Sequence, residues 1–510
     1  MSAGHTAGHG AGHRVCVSSP VTARALDAGR AAAVQVFAPG PHAGRELVVC
    51  VDFGSTFTKV AVVDLVAGEL VATAEHPTTV GSDLLDGFAA AREALAAALP
   101  GACLDRALAC SSAGGGLRLA VVGYERAITA EAGHRVGLSA GARVEHVSAG
   151  PLHEPEVAAL VAARPDVVLL AGGTDGGNAE ILLHNAGALA TAPLDVPVVV
   201  AGNAAVRDEV CALLAAGGKT AVPTANVLPR IGVLEPRPAR ETIREVFIRH
   251  VIGGKGLSAM PELASMVRAA TPDAVLHAVE LLADGAGRVA GTGDVVVVDV
   301  GGATTDVYSV VTPDAEQAGL RGEVVQPLWR SRTVEGDLGM RWNALGVVEA
   351  AAAERLLGGD EPGLRAAAAR RVADPAYVPD SPGEAAVDAR LAALAATVAL
   401  RRHARPQLPR TPATVRHGGK DLREVRLVVG SGGVFRHASP QRLGAALRAP
   451  LRDHAGGWPV PERAALAVDR HYVLAAAGLI GLDHPEVACH LLRRYLRLVE
   501  TGVASATPGG

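Results

Sequence analysis

Two short runs place aspartates around a glycine turn in a way that could hold a polyphosphate. Residues 295–310 read VVVVDVGGATTDVYSV: four valines lead to Asp299, then Gly301 and Gly302, then Thr304, Thr305 and Asp306, then a second β-type run. A near-continuous apolar run reads as a strand buried on both faces. The glycines let the backbone turn and come close to a ligand, and successive N–H groups in such a turn form a concave anion site. Carboxylates beside that site call for a cation between them and the phosphates, and magnesium suits that role. Residues 47–63, LVVCVDFGSTFTKVAVV, repeat the plan with Asp52, Gly54, Ser55 and Thr56, then Thr58 and Lys59. The two aspartates lie too far apart in sequence for a local repeat, which suggests two similar lobes facing one nucleotide.

Phosphoryl transfer depends on positioning and charge neutralisation more than on covalent help. Ser55, Thr56 and the amides around Gly54 would hold the β- and γ-phosphates, and Gly301, Gly302 and Thr304 would do so from the other lobe. Asp52 and Asp299 would hold magnesium, partly through water, with Asp299 favoured to orient an attacking water. Asp306 is assigned to the metal or to hinge geometry. Lys59 either neutralises phosphate charge or points away along its strand. A third run, LVVGSGGVF at 427–435, ends a short strand in Gly430, Ser431, Gly432 and Gly433. It would rest against the adenosine, or be a plain strand-to-helix turn.

Other segments must position these residues. Residues 83–99 have helical periodicity with Asp83 as cap. Between about 150 and 252 strands alternate with helices, which argues for a parallel α/β layer. There GGTDGG (172–177) follows a strand at 166–170, where α/β sheets bind ligands. It lacks the spacing of a dinucleotide loop, so a ligand or partner edge and a structural turn both stay open. The same pair of readings holds for the glycines at 114–116. Helices are expected at 257–285, at 337–345 carrying Arg341 and Trp342, and at 384–403, with a loop at 404–424. The run AAAGLIG at 475–481 is a small-residue helix, either crossing another closely or simply packed tightly in a core.

Composition excludes several function classes. The 510 residues suffice for two or more cores. Hydrophobic residues are 49% and charged residues 20%, as in a folded chain. A net charge of −4 without a basic block argues against a nucleic-acid surface, and 3% aromatics removes stacking platforms for bases. Cys16, Cys50, Cys103, Cys110, Cys211 and Cys489 show neither zinc nor disulfide spacing; reduced thiols and a cytoplasmic location are expected. No apolar run approaches the about eighteen residues of a membrane span, and none at the N-terminus forms a secretory core. His5, His9 and His13 lie in a Gly- and Ala-rich segment read as a disordered tail rather than a metal site.

The three glycine-containing motifs, in this order, resemble the actin-like ATPase superfamily. DFGSTFTK, CSSAGGGLR, LLAGGTDGGN, VVVDVGGATTD and TVEGDLGMR together resemble the MutL/GlmL family, accessory proteins of adenosylcobalamin-dependent glutamate (methylaspartate) mutase. The resemblance covers roughly residues 46–495. It implies an α/β, ribonuclease H-like, two-lobed fold with an inserted α/β module. The expected divisions are tails at 1–45 and 496–510, a first lobe at 46–150, an inserted α/β and helical module at 151–290, and a second lobe at 291–495. It also implies hydrolysis of ATP to ADP and phosphate, with magnesium, in a chaperone that reactivates a mutase by releasing damaged cofactor. The partners would be mutase subunits, with no nucleic acid and no membrane. Cobalamin would enter only through the partner, since no D-x-H-x-x-G motif occurs. A small-molecule kinase, a hydantoinase/oxoprolinase-type lactam hydrolase subunit and an actin-like filament protein are the alternatives. No H-x-H metal pair supports a metal hydrolase, and no paired cysteines support the iron–sulfur activators that share the fold. The client mutase and the oligomeric state are left open.

Overall fold

The computed structural model describes residues 32–38, 40–79, 82–112, 117–125, 132–133, 136–137, 140, 142–252, 261–312, 330–405, 420–451 and 457–499. The N-terminal histidines, the glycines at 114–116, most of the loop expected at 404–424 and the tail from 500 lie outside these residues.

Two six-stranded sheets share one five-strand order, and each adds its sixth strand at the opposite edge. In the first, β1 (Ala33–Val36), β4 (Glu69–Pro77), β3 (Phe57–Asp64), β2 (Leu47–Phe53), β5 (Ala107–Ser111) and β11 (Val267–Ala270) lie side by side in that order. In the second the order is β16 (Arg330–Glu335), β15 (Thr305–Val310), β14 (Val295–Val300), β17 (Leu427–Ser431), β18 (Ala465–Asp469) and β19 (Leu496–Leu498). In both, three strands form an antiparallel meander, and the next two run parallel to its first strand. The same five-stranded ribonuclease H-like unit is thus used twice, which is the actin-like ATPase fold expected from the sequence.

Alternation along the central strands sets the layers. Val49 and Val51 of β2 face a core that the first lobe shares with the inserted module, while Val48 and Cys50 face a core between the sheets. Val295 and Val297 of β14 join that shared core, and Val296 and Val298 face the outer core of the second lobe. Strands buried on both faces explain why these segments read as continuous apolar runs. Helix α1 (Leu84–Ala98) covers the first sheet, and Asp83 accepts the Leu85 N–H at 2.8 Å as its cap.

The inserted module is a five-stranded parallel sheet. Its strands β6 (Arg118–Gly123), β7 (Arg143–Ala149), β8 (Val167–Leu170), β9 (Val198–Val200) and β10 (Ala221–Pro223) lie in the order β10-β9-β8-β6-β7. The chain reaches it from β5, leaves through helix α2 (Pro236–Val246) and returns at β11. Because β6 and β7 pair in this sheet, it begins at 118, earlier than the sequence division at 151. Three further expectations shift. Residues 33–36 are not tail: they pair with the edge strand β4, and Phe37 packs edge-on to His471 at 4.7 Å. Residues 496–498 pair with β18. Part of the helical stretch expected at 257–285 is β11, which completes the first sheet before helix α3 (Thr271–Asp284) begins; the short pair β12 (Gly285–Ala286) and β13 (Val289–Ala290) follows that helix. The helix expected at 384–403 is α4 (Pro382–Ala404). Among the described residues no helix is long and apolar enough to cross a membrane.

Two helices cross in the shared core: α3, and α5 (Val473–Ile480) from the AAAGLIG run. A Cβ on Gly478 would overlap the Ala274 carbonyl, and one on Gly481 would meet Leu281. Small residues therefore allow the close crossing. Replacing glycine by alanine inside a helix ordinarily stabilises it by about 1 kcal/mol. Here Gly478→Ala is expected to destabilise by about 1–3 kcal/mol through overpacking, seen as a lower urea midpoint. An unchanged or higher midpoint would contradict the crossing.

Candidate functional site

Each hairpin turn is built by its glycine and held by a neighbour. In the β2–β3 turn the Gly54 N–H donates to Phe57 O at 3.2 Å, and a Cβ on Gly54 would lie 2.7 Å from that oxygen. Thr78, at the end of β4, donates its hydroxyl to Gly54 O at 2.9 Å and its N–H to Thr56 O at 2.9 Å. In the β14–β15 turn the Gly301 N–H donates to Thr304 O at 2.9 Å. The Met340 N–H donates to Gly301 O at 3.0 Å, and those of Arg341 and Trp342 to Gly302 O at 2.8 and 3.0 Å. Those three amides are committed to the turn, so the helix expected at 337–345 begins only at Ala344. The Arg341 guanidinium binds Asp388 and Tyr377 O instead of facing the cleft.

The two turns face each other. A Cβ on Gly302 would lie 3.2 Å from Thr56 Oγ1. Ser55, Thr56, Gly301, Gly302 and Thr304 are thereby gathered at one mouth between the lobes, all at least partly exposed.

The carboxylates below the turns follow one register. Asp52 pairs across its hairpin with Lys59, and Asp299 pairs across its own with Asp306. Lys59 Nζ lies 3.1 Å from Asp52 Oδ2, so the lysine turns into the cleft rather than away along its strand. Burial works against its charge, but Asp52, Tyr472 and Asp299 outweigh this and hold the ammonium well above the ordinary lysine value. Asp306 is engaged by Arg332 from β16 at 2.6 Å and by Thr304 Oγ1 at 3.1 Å. Asp299 is different. Burial pushes its carboxyl up to about 6, Asp306 and Asp52 add to the rise, and Lys59 and the Ser431 hydroxyl oppose it.

Tyr472 was not foreseen. Its backbone is left-handed at φ 54°, which is uncommon outside glycine and turns up at functional sites. Lys59 lies 4.5 Å and Arg436 4.3 Å from its ring centroid, while Arg436 also pairs with Glu75 of the first lobe at 2.9 Å.

The third glycine run divides in two. A Cβ on Gly430 would lie 2.7 Å from Leu447, and one on Gly432 would overlap Val300 O. Those two positions need glycine to pack against protein, not to make room for a base. Gly433 is exposed, with Tyr472 Oη 3.9 Å from the place of its Cβ. In the module, the GGTDGG loop is held by its own surroundings. Asn203 bonds Gly176 N and Gly177 O at 2.9 and 3.0 Å, and Asn226 bonds Gly173 O and Asp175 at 3.0 and 2.8 Å. These bonds favour the structural turn.

Among the described residues no three His, Cys, Asp or Glu side chains converge to hold a metal. Asp52, Asp299 and Asp306 therefore form no three-carboxylate cage, and Arg332 takes Asp306 out of the set. Asp52 and Asp299 still fit magnesium, which is commonly held by one or two carboxylates plus phosphates and water. Burial, with a smaller contribution from Asp306 and Asp52, disfavours the ionised Asp299 carboxylate, and a bound cation would offset that cost.

The family described as "MutL protein" matches residues 48–496. The "Protein MutL" of Clostridium tetanomorphum is 38% identical over 454 residues, spanning 87% of this chain and 98% of the relative. Among solved structures, a glycerol dehydratase reactivase aligns over 85% of this chain and 99% of its own, with 12% identity and a TM-score of 0.31. EutJ, an ethanolamine utilization protein from Carboxydothermus hydrogenoformans, aligns over 90% and 92%, with 12% identity and a TM-score of 0.26. The fold itself rests on the duplicated strand order.

Asp299 gives a test that needs no ligand. Its carboxyl in the folded chain holds a proton up to about 6, whereas in the unfolded chain it lets go near 4. The folded state therefore binds more protons in that window, and stability falls as pH rises through it. Asp299→Asn is expected to raise the melting temperature of the ligand-free protein at pH 8, by up to about 3 kcal/mol of stability, with the gain vanishing toward pH 4. No gain at pH 8 would contradict the charge assignment.

Proposed function

The chain belongs to the MutL protein family, and on that premise we propose that it is an ATP-hydrolysing accessory protein that reactivates an adenosylcobalamin-dependent mutase. Glutamate mutase is the favoured client, and the cytoplasm the proposed location. The observation that supports the ATPase reading is the meeting of two glycine turns, one from each lobe, over Asp52, Lys59 and Asp299.

In this reading the hydroxyls of Ser55, Thr56 and Thr304 and the amides of both turns bind the β- and γ-phosphates, and Gly433 lies on the nucleoside side. Lys59 brings positive charge beneath the first turn. Asp52 and Asp299 would hold magnesium, which when bound neutralises phosphate charge. Asp299, whose proton affinity is raised toward neutrality, orients the attacking water and accepts its proton at a carboxylate oxygen. Contacts to the γ-phosphate from two lobes exist only before hydrolysis, so their loss lets the lobes part. That motion is the means by which the protein would loosen a client mutase and let damaged cobalamin leave.

The test is to mix the purified protein with glutamate mutase inactivated by turnover, add Mg-ATP, and follow both phosphate and cobalamin release. ATP-dependent cobalamin release is expected. Asp52→Asn and Asp299→Asn should each lower ATP turnover by roughly 100-fold or more and abolish the release. Wild-type turnover in either variant would sink the site assignment, and hydrolysis without cobalamin release would sink the accessory role with this client.

A further inference from the structure

Asp52 is not held by its own hairpin alone. While Lys59 takes Oδ2, Oδ1 accepts the Thr271 hydroxyl at 2.7 Å. Thr271 opens helix α3, at the point where the chain has just come back from the inserted module through β11. Two residues on, Asp273 is fully buried. It receives the Arg240 guanidinium at 2.8 Å and that of Arg244 as well, both from α2, the helix that leaves the module. Arg240 also reaches Glu280, further along α3, at 2.5 Å. Asp273 takes both guanidinium groups, and Glu280 takes Arg240 with Arg330 3.6 Å away, all in a nearly dry site, so removing Asp273 strands buried positive charge. The first turn of α3 is therefore pinned to α2 on one side and to Asp52 on the other.

We propose that Thr271 is a positioning residue for Asp52, and that the clamp of Asp273 by Arg240 and Arg244 ties this positioning to the inserted module. The inference rests on the ATPase reading above. A carboxylate bonded at both oxygens cannot rotate freely, and magnesium demands near-ideal octahedral geometry. Partners that orient such ligands ordinarily change metal affinity by about 10–100-fold when removed. Movement of the module relative to the first lobe would reach Asp52 through two residues of one helical turn. A partner that displaces the module would thereby change how the cleft holds Mg-ATP.

The experiment uses the full chain and measures ATP binding by calorimetry at increasing magnesium, together with kcat and KM. Thr271→Val keeps the shape and loses the donor; Thr271→Ser keeps the donor. Thr271→Val is expected to raise the magnesium needed for tight ATP binding by about 10–100-fold, leaving magnesium-free binding unchanged, and Thr271→Ser is expected to restore the wild-type requirement. Arg244→Lys, which keeps the charge but loses the planar fork, is expected to raise the requirement in the same direction. A wild-type requirement in Thr271→Val, or equal impairment in Thr271→Ser, overturns the positioning role. A wild-type requirement in Arg244→Lys overturns the link to the module. Failure of the wild-type chain to bind Mg-ATP at all overturns the ATPase reading itself, and this inference with it.

Discussion

Three carboxylates and two cations are crowded where the lobes meet, and the way they are matched governs the cleft. Asp52 has Lys59 across its hairpin, and Asp306 has Arg332 from the neighbouring strand. Among the described residues Asp299 has no direct ion-pair partner, and its carboxyl is the one pushed toward neutrality. The asymmetry follows from the register. Both lobes place an aspartate at the end of the first strand, but the residue opposite is a lysine in one and an aspartate in the other. The duplicated fold thus presents one carboxylate in a direct ion pair and, among the described residues, one without such a pair. That is a sensible arrangement for binding an incoming cation together with an anion.

The rest of the molecule holds this charged pair in place. The shared core between the sheets is filled by α3 and α5, whose close crossing needs Gly478 and Gly481. Close to the carboxylates, Tyr472 is bracketed by Lys59 from one lobe and Arg436 from the other, and Arg436 reaches back to Glu75. These polar contacts lie beside an apolar crossing. Phosphates bound by both turns would add contacts on the opposite side of the cleft, which is how a ligand biases a two-lobed fold.

What could be read from the sequence was local. The Asp, Gly and hydroxyl residues of each turn lie within eight positions of one another, so strand patterning and turn chemistry expose them together. The small residues of 475–481 fit either a close crossing or a tightly packed core helix, and the contact of Gly478 with Ala274 shows the crossing. What stayed hidden is brought in from afar. Thr78, Thr271, Arg332 and Tyr472 reach the cleft from other strands and helices, and no spacing within the chain ties them to an aspartate. Gly430 and Gly432 misled for a related reason: a glycine needed to pass a neighbouring strand or leucine looks the same in sequence as one needed to admit a ligand. The residues 337–343 had helical composition, but the amides of Met340, Arg341 and Trp342 are captured by carbonyls of a turn 39 or 40 residues earlier. The edge strand at 33–36 lies in composition typical of a tail, and only the open edge of β4 makes it a strand.

The most direct test of the account is a crystal structure of the full chain with magnesium and a non-hydrolysable ATP analogue. The account predicts the β- and γ-phosphates between Ser55–Thr56 and Gly301–Thr304, with density for a cation against Asp52 and Asp299 and the base near Gly433. An analogue bound elsewhere, such as at the GGTDGG loop of the module, would contradict it.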